Sequence, residues 1–134
     1  MENFPTALAV VAAALVREDG RVLLQQRPTN KQHGGLWEFP GGKVEARESQ
    51  KSALVRELAE ELGITVDPAD LAFLVRAGEA ADGLVIHLYT CRRWQGSPRA
   101  LDAAALAWVS PPATADLAMP PLDVPLAKAL AAAI

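Results

Sequence analysis

The sequence predicts an α/β domain in which a mixed β-sheet lies between helices, an α/β/α sandwich. Three observations carry this: apolar runs of strand length recur along the chain, a segment of period 3.6 interrupts them near the middle, and a second helical segment closes the chain. At 134 residues, 51% hydrophobic and 22% charged, the sequence fits a single domain over 1–134. That length buries a core without disulfide or metal staples.

"ALAVVAAALV" (7–16) and "RVLLQQR" (21–27) flank "REDG", the pattern of a hairpin with Gly20 at its turn. The first run has the apolar look of a signal peptide. However, "MENFPT" before it carries Glu2 and no lysine or arginine, so the positive segment of such a signal is missing, and the run is too short to span a bilayer. A buried strand is the expectation. "PTNKQHGGLWEFPGG" is dense in Gly and Pro and reads as a long loop with a short extended piece at Leu36 to Phe39.

From Ser49 to Leu62 the period becomes helical. Leu54, Leu58 and Leu62 form an apolar stripe with Ala53 beside it, Ser49 is placed to cap the start, and Gly63 is placed to end the helix in a left-handed conformation. "LAFLVRAGEA" (71–80) and "LVIHLYTCRRW" (84–94) resemble a second hairpin. A short strand "LAWV" (106–109) follows. "SPPATADLAMPPLDVP" breaks the chain, and "VPLAKALAAAI" closes it as a helix with Leu126, Leu130 and Ile134 on one side and Asp123 as N-cap candidate.

The formal net charge of −3 argues against bulk neutralisation of a duplex nucleic acid, which takes a basic surface. The single cysteine, Cys91, has no internal disulfide partner and sits where a small buried hydrophobe is expected. Together with the absent signal and membrane span, this predicts a cytoplasmic protein, monomer or homodimer.

Glu57, Glu60 and Glu61 share a face of the central helix. At 100° per residue, Glu60 lies about 60° to one side of Glu57 and Glu61 about 40° to the other. Such a face is either a solvated surface, relieved by Arg56 pairing with Glu60 at i,i+4, or a seat for a hard divalent cation. Mg²⁺ takes a few carboxylates, keeps waters and accepts phosphate oxygens. "PGGKVE" just before the helix offers glycines that allow close backbone approach and Lys43 as a point charge.

These residues carry a resemblance. The stretch matches the Nudix box, G-x5-E-x7-R-E-U-x-E-E-x-G-U with U aliphatic, at Gly42, Glu48, Arg56, Glu57, Leu58, Glu60, Glu61, Gly63 and Ile64. A chance match somewhere in the chain is on the order of one in 10⁸. Beyond the box, "LLQQR", "LWEFPGGKVE", "RRWQGSP" and "PPLDVPLAKAL" are similar to stretches of the MutT-like branch, over nearly the whole chain.

The resemblance implies a Nudix-type sandwich and a Mg²⁺-dependent enzyme, with Mn²⁺ as a substitute, that cleaves a nucleoside triphosphate to monophosphate and pyrophosphate. It implies that Glu57, Glu60 and Glu61 bind metal with the Gly41 carbonyl, and that Glu48 and Arg56 orient them. Arg27 is implied near the phosphates. The expected substrate is an oxidised nucleotide such as 8-oxo-dGTP, with CTP or a modified dCTP as the alternative. A non-catalytic nucleotide-binding module on the same fold is the rival of a different class, opposed by the intact acidic set.

Three places depart from the pattern or leave it open. Where the branch commonly carries a glutamate before the last strand, within "E-G-Q", this chain has Asp102 and, for the glutamine, Ala104; Asp102, Glu60 and Glu61 are the general-base candidates. Arg47 stands where the family usually has glycine, so it adopts an ordinary backbone conformation or accepts strain. Asp123 falls at the base-contacting position, where an ionised carboxylate suits an amino group or ring N–H better than a carbonyl; capping the last helix is its other reading. Phe39, and with it Trp37, would line the base or pack in the core.

Overall fold

The computed structural model describes residues 8–134; the "MENFPT" segment read above lies outside them. Seven strands and two α-helices follow in order: β1 Leu8–Leu15, β2 Val22–Gln26, β3 Trp37–Glu38, β4 Gly41–Lys43, α1 Gln50–Leu62, β5 Leu71–Glu79, β6 Leu84–Cys91, β7 Ala105–Val109 and α2 Asp123–Ala133. A mixed sheet runs β4-β1-β6-β5 and a smaller antiparallel sheet runs β3-β2-β7. In the mixed sheet β1 pairs parallel with β6 and antiparallel with β4.

The α/β/α arrangement is the predicted one, and β1 explains it. Successive side chains of a strand point to opposite faces. Val11, Ala13 and Leu15 pack with Ala53, Leu54, Leu58 and Leu62 of α1, while Ala12 and Ala14 pack with Leu126, Ala127 and Leu130 of α2. Burying each of these leucines contributes about 1.5–3 kcal/mol. The apolar run is thus a strand buried on both faces from Val11 to Leu15, with Leu8 exposed at its start.

Ser49 and Gly63 end α1 as expected. The Ser52 amide donates to Ser49 Oγ at 3.0 Å, and Gly63 takes φ 70 with its N–H on Ala59 O. The second hairpin forms, β5 antiparallel to β6. Cys91 is buried, its Sγ donating to the Arg93 carbonyl. Among the described residues no helix is long and apolar enough to cross a membrane.

Four expectations are corrected. The first two strands are not a hairpin ladder: one bridge, Val16 with Val22, joins them before they diverge into separate sheets. The Gly-Pro loop hides β4, whose three residues are too few to show a period. Ile134 does not extend the α2 stripe but is 45% exposed. Finally, Leu122 occupies the N-cap of α2 and its side chain makes no capping bond; Asp123 is the first helical residue and its carboxylate points elsewhere.

Candidate active site

The acidic face of α1 is built against the glycines of β4. A Cβ on Gly41 would overlap the Val11 carbonyl, and one on Gly42 would run into the Glu57 carboxylate. Only glycines let β4 lie this close to both β1 and the helix. Gly41 N–H then donates to Glu61 Oε2 at 3.2 Å.

Arg56 organises the outer acids. Its Nε and Nη2 each donate to one Glu48 oxygen at 2.8 Å. Nη1 donates to Glu57 at 2.9 Å and reaches Glu60 at 3.4 Å, and Nη2 also donates to the Lys43 carbonyl at 3.1 Å. Charge-assisted bonds favour the ionised carboxylate. The Arg56 bonds and the Glu45 N–H therefore hold Glu48 down at about 2.

The inner acids behave oppositely. Burial raises the Glu61 carboxyl to about 8, despite donors at Gln25 and Gly41, and the neighbouring Glu57 charge adds to the rise. Burial also raises Glu57, against the pull of Arg56. Expected as one nest, the three acids are divided: Arg56 holds Glu57 and the largely exposed Glu60, while Glu61 turns inward to Gln25. Among the described residues no group of three or more His, Cys, Asp or Glu side chains is gathered to hold a metal ion. The donor set still fits a hard cation, because Glu57 and Glu61 are both desolvated, the Glu57 charge raises Glu61 further, and glycine backbone beside them completes an all-oxygen site.

A cleft of about 280 Å³ opens beside Glu61. Gly41, Lys43, Arg27, Phe39, Asp102 and Asp123 all line it, so most of the residues singled out in sequence meet there. Glu48, just before α1, and Arg56, Glu57 and Glu60 on the helix are not part of its wall. Asp102 is carried by a loop tied to the end of α1, where Leu101 N–H donates to Glu61 O and Arg99 N–H to Leu62 O.

Asp123 is 5% exposed and accepts from Phe39 N–H at 3.1 Å. Burial lifts its carboxyl to about 7. Phe39 is itself 4% exposed, so it serves the core as well as the cleft. Arg27 is engaged: Nη1 donates to both Glu38 oxygens at 3.1 and 3.2 Å, and Nε donates to Gln32 O at 2.7 Å. Arg47 takes φ 67, the strained alternative.

The NUDIX domain family model matches residues 5–131. The chain belongs to the NUDIX family. Members of the family depend in general on divalent cations. This NUDIX protein is 41% identical over 124 residues to the CTP pyrophosphohydrolase of Escherichia coli K12, covering 91% of this chain and 90% of that one. It is 44% identical over 117 residues to a putative 8-oxo-dGTP diphosphatase 2 of Mycobacterium tuberculosis, covering 85% and 81%. A solved MutT structure from work on Aliivibrio salmonicida and Vibrio cholerae superposes with TM-score 0.85 at 32% identity, covering 96% of this NUDIX chain and 99% of that one. The solution structure of the E. coli ORF135 protein superposes with TM-score 0.83 at 38% identity, covering 95% and 90%.

Sequence reasoning missed Gln25, Lys31 and Glu38 among the residues lining the cleft. Gln25 left one signal, a polar residue at the end of an apolar strand. Lys31 sits in a loop without periodicity and left none. Glu38, beside Phe39 in the quoted motif, carries no local mark as the partner of Arg27.

Proposed function

We propose that this protein hydrolyses a nucleoside triphosphate to the monophosphate and pyrophosphate in the cleft between α1 and Asp123. The observation that carries the reading is the polarity of that cleft: a desolvated Glu61 at one end, a desolvated Asp123 within the same walls, and Arg27, Lys31 and Lys43 along them. A triphosphate takes the cations, and a base with exposed N–H groups takes the acid.

Glu57, Glu60, Glu61 and the Gly41 carbonyl would hold the divalent cation, Mg²⁺ first and Mn²⁺ as substitute. When bound it supplies positive charge to the phosphate oxygens and acidifies water. Arg56 and Glu48 keep Glu57 and Glu60 oriented. Water attacks the β-phosphorus, the bond to the α-phosphate oxygen breaks, and the nucleoside monophosphate leaves. A carboxylate takes the water's proton: Asp102, or else Glu60 or Glu61. Arg27 and Lys43 meet the phosphates, Arg27 by releasing Glu38. Asp123 accepts from the base, with Phe39 as the adjoining apolar wall.

8-Oxo-dGTP fits the acceptor at Asp123 through the N–H that oxidation adds to its ring. CTP or a modified dCTP is the second reading, favoured by the amino group of cytosine and by the name of the E. coli relative. Steady-state kinetics over a panel of canonical and oxidised triphosphates test both, with one class expected to lead by about tenfold or more; a flat profile overturns both. In heavy-oxygen water the label is expected in pyrophosphate; label in the monophosphate refutes attack at the β-phosphorus. Pyrophosphate release unchanged by both Glu60→Gln and Glu61→Gln removes the site assignment.

A further inference from the structure

Gln25 is a buried polar residue at the end of the apolar run Val22–Leu24, 5% exposed and on the wall of the cleft. Its Nε2 donates to Glu61 Oε2 at 3.1 Å. Its Oε1 is buried and has no hydrogen-bond partner among the described residues. Leaving such an acceptor unmade is destabilising, so a strand that only needed packing would carry an apolar side chain here. When Glu61 is ionised, as a metal ligand must be, exchanging the amide nitrogen and oxygen would set an oxygen against its carboxylate, which fixes the orientation.

The two donors on Glu61 converge on one atom. Gln25 Nε2 and Gly41 N–H both reach Oε2, at 3.1 and 3.2 Å, and no hydrogen bond reaches Glu61 Oε1 among the described residues. We propose that Gln25 is a positioning residue for the cation site. Its amide pins Glu61 Oε2 and leaves Oε1 available to a cation, and its own unpartnered Oε1 would accept from a water that the cation keeps. Mg²⁺ and Mn²⁺ retain waters whose hydrogens must find acceptors, and partners that orient a ligand tune metal affinity. The inference rests on the proposed assignment of Glu61 as a metal ligand.

The test is a titration of the whole protein with Mn²⁺ alone, followed by electron paramagnetic resonance, beside thermal unfolding of the metal-free protein. Gln25→Leu keeps the volume and removes both polar atoms. It is expected to unfold at the wild-type temperature or above, because the unmade acceptor is gone, and to weaken Mn²⁺ binding about tenfold. Gln25→Met is the second variant, and the same titration decides it if Gln25→Leu does not fold. Wild-type Mn²⁺ affinity in a folded variant overturns the positioning role, whether or not its stability changes. The underlying reading fails in a different way: wild type then binds no Mn²⁺, or Glu61→Gln binds it as well as wild type does.

Discussion

Arg56 meets Glu48 fork to fork, with Nε and Nη2 each donating to one carboxylate oxygen at 2.8 Å. The remaining Nη1 hydrogens go to Glu57 and Glu60. A lysine has the charge but not the planar fork. Arg56→Lys is therefore expected to lower kcat/KM by about 10- to 100-fold, as losses of ligand-orienting partners do. Steady-state kinetics at saturating Mg²⁺ measure it. The same variant bears on acid stability. Because Glu48 is depressed to about 2, its contribution is present above the unfolded value near 4.5 and is lost as pH falls through 2. Arg56→Lys is expected to unfold at higher pH in an acid titration by circular dichroism.

Glu61 gives the opposite slope. Its folded carboxyl titrates at about 8, so between about 4.5 and 8 the unfolded chain has released a proton that the folded chain keeps. Stability of the metal-free protein is expected to fall as pH rises across that window. Glu61→Gln removes much of the slope and raises the melting temperature at pH 8.5 by about 5 °C. Asp123 and Glu57, raised in the same direction, leave a residual slope. Melting curves in EDTA from pH 5 to 9 check this, and a flat wild-type profile would refute it.

Asp123→Asn keeps an oxygen for the Phe39 amide and adds a donor where the ionised wild-type carboxylate has only acceptors. The expected result is a drop of about tenfold or more in kcat/KM for the preferred base relative to UTP, whose edge offers a carbonyl in place of the amino group. Equal losses for every triphosphate would mean that Asp123 serves the fold and not the base.

The two β4 glycines are expected to fail differently. At Gly41 a Cβ meets backbone of the central strand, with Ala12 Cα at 2.7 Å and the Val11 carbonyl carbon at 2.8 Å. Gly41→Ala should destabilise by about 3 kcal/mol. At Gly42 the obstacle is the end of the Glu57 side chain, which moves more easily. Gly42→Ala should fold near the wild-type melting temperature and lose Mn²⁺ affinity by about tenfold. Chemical denaturation and Mn²⁺ titration separate the two.

Arg47 holds φ 67 in an exposed turn. The left-handed conformation costs a residue with a Cβ roughly 1–2 kcal/mol, of which glycine's extra unfolded entropy returns about 0.5–1 kcal/mol. Arg47→Gly should raise the melting temperature by about 2–5 °C. A lower value would show that the Arg47 side chain anchors the turn.

The acidic helix was legible because its signals are local: an i,i+3,i+4 pattern, a serine before it and a glycine after it. The parallel pairing of β1 with β6 was not legible, since no turn connects them and register is set by packing. Nor was the contact of Asp123 with Phe39, which are 84 positions apart. Locally, aspartate at the start of a helix looks like a cap, and only the tertiary fold turns it toward the cleft. Gln25 was similarly hidden, because the orientation of one amide depends on a carboxylate 36 residues later.

β1 gives its odd side chains to the core under α1 and its even ones to the core under α2. The acids that would handle the phosphates and the aspartate that would greet the base are therefore moored to different foundations, on opposite sides of one strand. Substitutions that resize the nucleoside end can accumulate on the α2 side while the hydrolytic apparatus rides undisturbed on the other. Such a partition lets a lineage change its diet without relearning how to digest.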